Sequence, residues 1–165
     1  MILKIAGPPV LFPKWPSALV LGCACTTLIE TGQLGDEDRA GAYAQRGLVH
    51  QRDGKLGPAV EDYDEAIRLD PKQDEFYALR GGIYLEKEEL GRARADFERA
   101  IAIAPNYGPY YNFRGATFHR EGDIDRAIAD YDESIRLYPR VSYVYVDRAV
   151  AYSVPSRSWL ELRVA

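Results

Sequence analysis

A chain of 165 residues with 47% apolar and 28% charged side chains has enough material for a real core and the make-up of a folded protein. Its net charge of −4 argues against wholesale nucleic-acid binding, two cysteines exclude a disulfide-rich scaffold, and two histidines leave little for a metal site. The departure from ordinary composition is 12 tyrosines against a single methionine, so something places tyrosine repeatedly.

In chain order, residues 1–37 read as a leader. Leu21, Cys25, Leu28 and Ile29 have the spacing of a short helix over part of 17–34, a candidate cap for whatever follows. One rival reading is an export signal or anchor, with Lys4 and Lys14 ahead of the apolar stretch at 18–25; another is a disordered leader. Pro8, Pro9, Pro13 and Pro16 interrupt the would-be apolar region, and Val20-Leu21-Gly22-Cys23 only loosely resembles a lipoprotein cleavage box. The stretch is too short and broken for a membrane span. The compartment stays open: cytoplasm is slightly favoured, and export follows if residues 1–24 act as a signal.

Over residues 38–154 the chain repeats with a 34-residue step. Tyr43, Tyr77, Tyr111 and Tyr145 fall in register, as do Arg46, Arg80, Arg114 and Arg148, each followed by Gly47, Gly81, Gly115 or Ala149. Later columns are Ala59, Ala93, Ala127; Asp62, Asp96, Asp130; Tyr63, Phe97, Tyr131; and Ala66, Ala100, Ser134, with each unit closing at Pro71, Pro105 or Pro139. The first half of a unit puts aromatics seven apart on one helical face, with a small residue between them that admits a neighbouring helix. The second half spaces apolar groups at i, i+4, i+7 and i+8, again one stripe. Gly54 and Gly122 break the chain between halves and each proline stops the second helix; Glu88 replaces the glycine in the second unit, whose turn must form without it.

This pattern resembles the tetratricopeptide repeat family over roughly residues 40–154. The arginine ahead of the small residue, with aspartate in the second helix, is similar to a subgroup common among bacterial repeat proteins. The resemblance implies an all-α, right-handed superhelical solenoid of antiparallel helix pairs at about 40–73, 74–107 and 108–141, then a half repeat at 142–153. Register with the leader would need a four-residue insertion near Leu34–Glu37.

At the C-terminal side, the fourth unit starts well with Tyr145, Arg148, Ala149 and Tyr152, then meets Val154-Pro155 where a turn belongs. Residues 155–165 form an irregular tail without the alanine–aromatic–alanine pattern. Val144, Val146, Val150 and Val154 make the last helix apolar where solenoid ends are usually polar. The expectation is a truncated or frame-disrupted longer array with one adhesive end.

Residues able to do chemistry are few. His50 occupies the column of Tyr84, Phe118 and Tyr152, a core slot, and His119 reads as a surface residue that could instead face a groove. Glu61-Asp62-Tyr63-Asp64-Glu65 and Asp130-Tyr131-Asp132-Glu133 recur in second helices and read as a solvated face. Cys23 and Cys25 without further ligands make no zinc site, and no nucleophile–base spacing or phosphate loop is present, so no enzyme, metal or cofactor is expected. The arginine and aspartate columns suggest ion pairs between helices, with anion binding as the alternative.

The resemblance also places a concave groove on the first helices, lined by Gly41, Ala44, Gln45, Leu48 and Arg52, by Glu75, Ala78, Leu79 and Gly82, and by Asn112, Phe113, Ala116 and Arg120. Family members that hold chaperone C-terminal carboxylates do so with Lys, Asn and Arg at places that here carry Ala44, Leu48, Leu79, Pro109 and Phe113. That clamp is therefore absent. The expected function is a non-catalytic scaffold holding a partner's peptide or helix in the groove, with Gln45, Leu48, Arg52, Glu75, Leu79, Asn112, Phe113 and Arg120 as contact residues. The alternatives are self-association through the incomplete C-terminal end, giving a homo-oligomer, and a regulatory fragment of a larger protein.

Overall fold

In a computed structural model, residues 22–30 and 34–153 are described, and all regular elements among them are helices: α1 (Gly22–Glu30), α2 (Asp36–Arg52), α3 (Leu56–Leu69), α4 (Asp74–Glu86), α5 (Leu90–Ile103), α6 (Gly108–Glu121), α7 (Ile124–Leu137) and α8 (Ser142–Ser153). Most of the export-signal stretch, Val154 and the 155–165 tail lie outside the described residues. None of the described helices is long and apolar enough to cross a membrane.

Each pair forms because its turn is built the same way three times. The first helix ends in a Schellman motif: Lys55, Glu89 and Asp123 donate backbone N–H bonds of 2.8, 2.8 and 2.9 Å to the carbonyls of His50, Tyr84 and Phe118. The motif needs a left-handed residue, and Gly54 (φ 75°) and Gly122 (φ 81°) supply it freely. Glu88 does so at φ 60°, so the second turn keeps its shape without glycine and the strained residue is carried by its surroundings. Charge and capping help at the starts. Asp36, Glu37 and Asp38 open α2, Asp74 and Glu75 open α4, Pro109 sits in the first turn of α6, and the Asp123 side chain accepts the Arg126 N–H of α7.

Helices α2 with α3, α4 with α5 and α6 with α7 pack as antiparallel pairs, and each pair packs on the next. The seams are filled by the repeating small and aromatic columns. Ala59, Ala93 and Ala127 are fully buried, as are Tyr63 and Phe97, with Tyr131 nearly so. The rings lie against the glycines of the facing helix: a Cβ on Gly47, Gly81 or Gly115 would come 2.8, 3.0 or 2.9 Å from Tyr63, Phe97 or Tyr131. At the N-terminal side α1 packs on α2 with Cys25 buried, the capping arrangement expected of this stretch; the side chain of Leu28 is not among those described.

Tyr63 also carries a mismatch, because its hydroxyl is buried with no hydrogen-bond partner while the same column in α5 holds Phe97. Tyr63→Phe removes a desolvated group without changing the ring, so stability in urea is expected to rise by about 1 kcal/mol. A midpoint at or below that of the parent chain would contradict this account.

Candidate functional site

The arginine column fixes the scaffold before any site is considered. Arg46, Arg80 and Arg114 each turn a two-pronged fork onto the aspartate sixteen residues on: Nη2 to Oδ1 distances are 2.6, 2.7 and 2.7 Å to Asp62, Asp96 and Asp130, with Nε bonded as well. Those aspartates are buried, which corrects the reading of the acidic clusters as a wholly solvated face. The neighbouring acids have a further use. Arg80 reaches back to Asp64, and Arg148 to Asp132, across the seam between successive repeats. Only the flanking Glu61 and Asp125, together with half-buried Glu65 and Glu133 that pair within their helices, keep the solvated character.

The tyrosine column ties the seams from the other side. Tyr77, Tyr111 and Tyr145 donate their hydroxyls to the carbonyls of Pro71, Pro105 and Pro139, at 3.3, 3.0 and 2.9 Å. The four column arginines sit over the rings of Tyr43, Tyr77, Tyr111 and Tyr145 at 5.3–5.9 Å from the centroids. With its fork and its face both engaged, an arginine of this column has little left for an anionic ligand.

The first helices form the wall on which the groove residues were expected. α4 touches α6, and α6 touches α8. Gln45, Leu48 and Glu75 are half-buried and Arg52 is exposed, its one bond a long contact to neighbouring Asp53. Three expected contact residues do other work. Leu79 packs against the core of the first repeat. Phe113 stacks on Phe97 with ring centroids 5.5 Å apart and joins the seam between the second and third repeats. Arg120 is tied to the Leu85 carbonyl at 2.9 Å and to Glu88 at 2.8 Å, a strut between α6 and the turn after α4. The physical reason is shared: adjacent first helices converge closely enough that long side chains between them bond to each other. Asn112 is also buried, its Nδ2 donating to Asp147 Oδ2 at 3.4 Å on α8. His50 is half-buried rather than a full core residue, with Nε2 3.8 Å from Asp62. His119 is half-buried and acts electrostatically on Asp147.

Several residues of this wall were not singled out from the sequence. Tyr110 donates its hydroxyl to Asp74 at 2.6 Å, linking α6 to α4, and its phenol is pushed far up, first by burial and then by that carboxylate. Tyr107 packs edge-on against Tyr110 and Tyr138. Burial raises the carboxyl of Glu75 above the usual range, with Asp74 adding to the effect and Gln73 opposing it. Burial likewise raises Asp147, against the opposing influence of Asn112 and His119. Asp147 was legible: it stands in the column of Gln45, Leu79 and Phe113, where a carboxylate is out of pattern.

Comparison with known proteins fits this architecture. No curated protein matches the chain in sequence. Among solved structures it is similar to MamA, at 22% identity and TM-score 0.72 over 80% of this chain and 75% of that one. It is similar also to the first repeat domain of Spaghetti (RPAP3) bound to the HSP90 peptide SRMEEVD, at 21% identity and TM-score 0.70 over 74% of this chain and 97% of that one. The same values of identity and TM-score hold for the Arabidopsis OM64 domain, over 73% of this chain and all of that one. Two family models, both described as tetratricopeptide repeat, match residues 44–108 and 108–140. With its helix pairs, its glycine–aromatic seams and these matches, the chain belongs to the tetratricopeptide repeat family, as a right-handed superhelical solenoid.

Proposed function

We propose that the chain is a non-catalytic protein-interaction scaffold whose concave face, lined by α2, α4, α6 and α8, seats a peptide or helix of a partner. The observation that carries this reading is a contrast between columns. Positions that face the seams repeat from unit to unit, whereas Ala44, Ala78, Asn112 and Val146, one column of the concave face, do not. Selection for packing explains the first set and leaves the second unexplained. The structural likeness to domains described as holding HSP90 and HSP70 peptides supports the same reading.

The clean test is at Gly82, in the interior of α4. An added Cβ there meets nothing within 4 Å, so Gly82→Leu fills the groove without strain and gains helix propensity of about 1 kcal/mol. Affinity capture followed by mass spectrometry is expected to lose its partners with this variant while the melting temperature holds or rises. Retention of every partner would defeat the reading. Leu79 is unsuitable for that test, because a charge there would enter the core of the first repeat.

A second reading is self-association through α8, favoured by Val146 and Tyr152, which are 61% and 63% exposed among the described residues. Sedimentation separates the two: a scaffold stays monomeric until its ligand is added, whereas an adhesive α8 gives weight that grows with concentration.

A further inference from the structure

The ion-pair pattern leaves one part of the molecule out. Most half-buried carboxylates of this chain meet an arginine or lysine, but the concave wall holds acids that do not. The partners of Asp74, Glu75 and Asp147 are Tyr110, Gln73, and Asn112 with His119, respectively. No lysine or arginine is among them. Burial of an unpaired carboxylate is costly, and evolution of a scaffold alone gives no reason to keep two of them on one face.

Asn112 supplies an independent sign. It is only 4% exposed, and its amide orientation is set by Asp147, since only the NH2 branch can donate to a carboxylate. The other branch, Oδ1, is then buried with no donor. An amide oxygen and a carboxylate side by side, both short of hydrogen, ask for a group rich in N–H and positively charged. The surroundings suit the stem that carries such a group. Tyr143, half-buried on α8, and Tyr107 present aromatic surface between the two acids, and each responds electrostatically to the other and to the acid nearer it: Asp147 for Tyr143, Glu75 for Tyr107.

From this juxtaposition we infer that the concave face takes a basic peptide segment, a lysine or arginine of the partner entering between Asn112 Oδ1 and Asp147, with Glu75 meeting a second cation along the same strip. The inference rests on the groove reading above and adds the ligand's charge to it. It is opposite in sign to the acidic SRMEEVD peptide held by the Spaghetti domain, and consistent with Ala44, Leu48, Leu79, Pro109 and Phe113 standing where cationic residues would grip a carboxylate.

The test selects a random short-peptide display library on the full chain and measures the affinities of the enriched peptides by fluorescence anisotropy. Lysine- or arginine-bearing sequences are expected to dominate, and replacement of lysine by arginine in each peptide reads which cation the site prefers. Asp147→Asn and Glu75→Gln each weaken binding by about tenfold, the worth of one charge-assisted bond. Both are also expected to raise the melting temperature of the free protein, because each removes an unpaired half-buried charge while keeping an acceptor for Asn112 or Gln73. A purely structural role for these acids would lower melting temperature and leave affinity untouched. Asp125→Asn, an exposed acid on α7, removes the same charge and changes neither quantity. Enrichment of neutral or acidic peptides that Gly82→Leu rejects overturns the charge assignment and leaves the groove standing. Absence of any peptide that Gly82→Leu rejects overturns both.

Discussion

Asp96→Ala is expected to lower stability by about 3 kcal/mol, as measured by urea denaturation, the cost of leaving one half of a buried pair behind. The loss is large because Arg80 holds two elements at once. Its Nε and Nη2 bond Asp96 within its own repeat, and its Nη1 bonds Asp64 of the preceding one. Without Asp96 the guanidinium stays half-enclosed against Tyr77 and Tyr84 with a single carboxylate. The pair itself is close to break-even: burial raises the Asp96 carboxyl above its usual range even though Arg80 draws it down. Replacement of both partners, Arg80→Met with Asp96→Leu, is therefore expected to restore most of the loss. In a solenoid, stability is a sum of repeat and neighbour terms, so the single variant should also broaden the transition as the first and second repeats uncouple. An unchanged midpoint for Asp96→Ala would mean that the column does not hold the helices.

Gly115→Val is the second large effect, with an expected loss of about 3 kcal/mol from overpacking. A Cβ at Gly115 would lie 2.9 Å from Tyr131 Cε1 and 3.2 Å from the Ala127 carbonyl oxygen. A ring can swing aside; a backbone carbonyl cannot without parting α6 from α7. At Gly47 the nearest atoms all belong to the Tyr63 ring, so Gly47→Val should cost less. Ala149 gives the internal control. It stands in the same column on α8, is exposed, and Ala149→Val should stay within about 0.5 kcal/mol of the parent. Equal losses at Gly115 and Ala149 would show that helix propensity, not the seam, governs the column.

These two columns show how far the sequence reaches. Helix pairing, the turn positions and the seam residues were legible because each is dictated by local periodicity repeated several times. The turn at Glu88 was read correctly as one that forms without glycine, and its left-handed backbone is the means. The groove was less legible. Register assigned Leu79, Phe113 and Arg120 to it, but register gives only the face of a helix, while reach and neighbours decide what a side chain touches. Leu79 and Phe113 turned into the seams, and Arg120 spans to the preceding turn. The acidic clusters were misjudged for a similar reason: alternate carboxylates along Asp62-Tyr63-Asp64 serve arginines of two different repeats, a distinction that only the stacking of pairs creates.

The tyrosine excess with which the chain announces itself resolves along the same line. The sequence by itself determined that tyrosine recurs every 34 residues, and hence that helix pairs stack, because local propensity and period point to one answer in every unit. Only the tertiary structure decided what the phenols do. Tyr77, Tyr111 and Tyr145 bond the proline carbonyls that end the preceding helices, Tyr63 leaves its hydroxyl unpaired, and Tyr110 crosses to Asp74. Hydrogen bonding and charge pairing depend on distances between segments about 35 residues apart, and those distances exist only once the repeats are stacked.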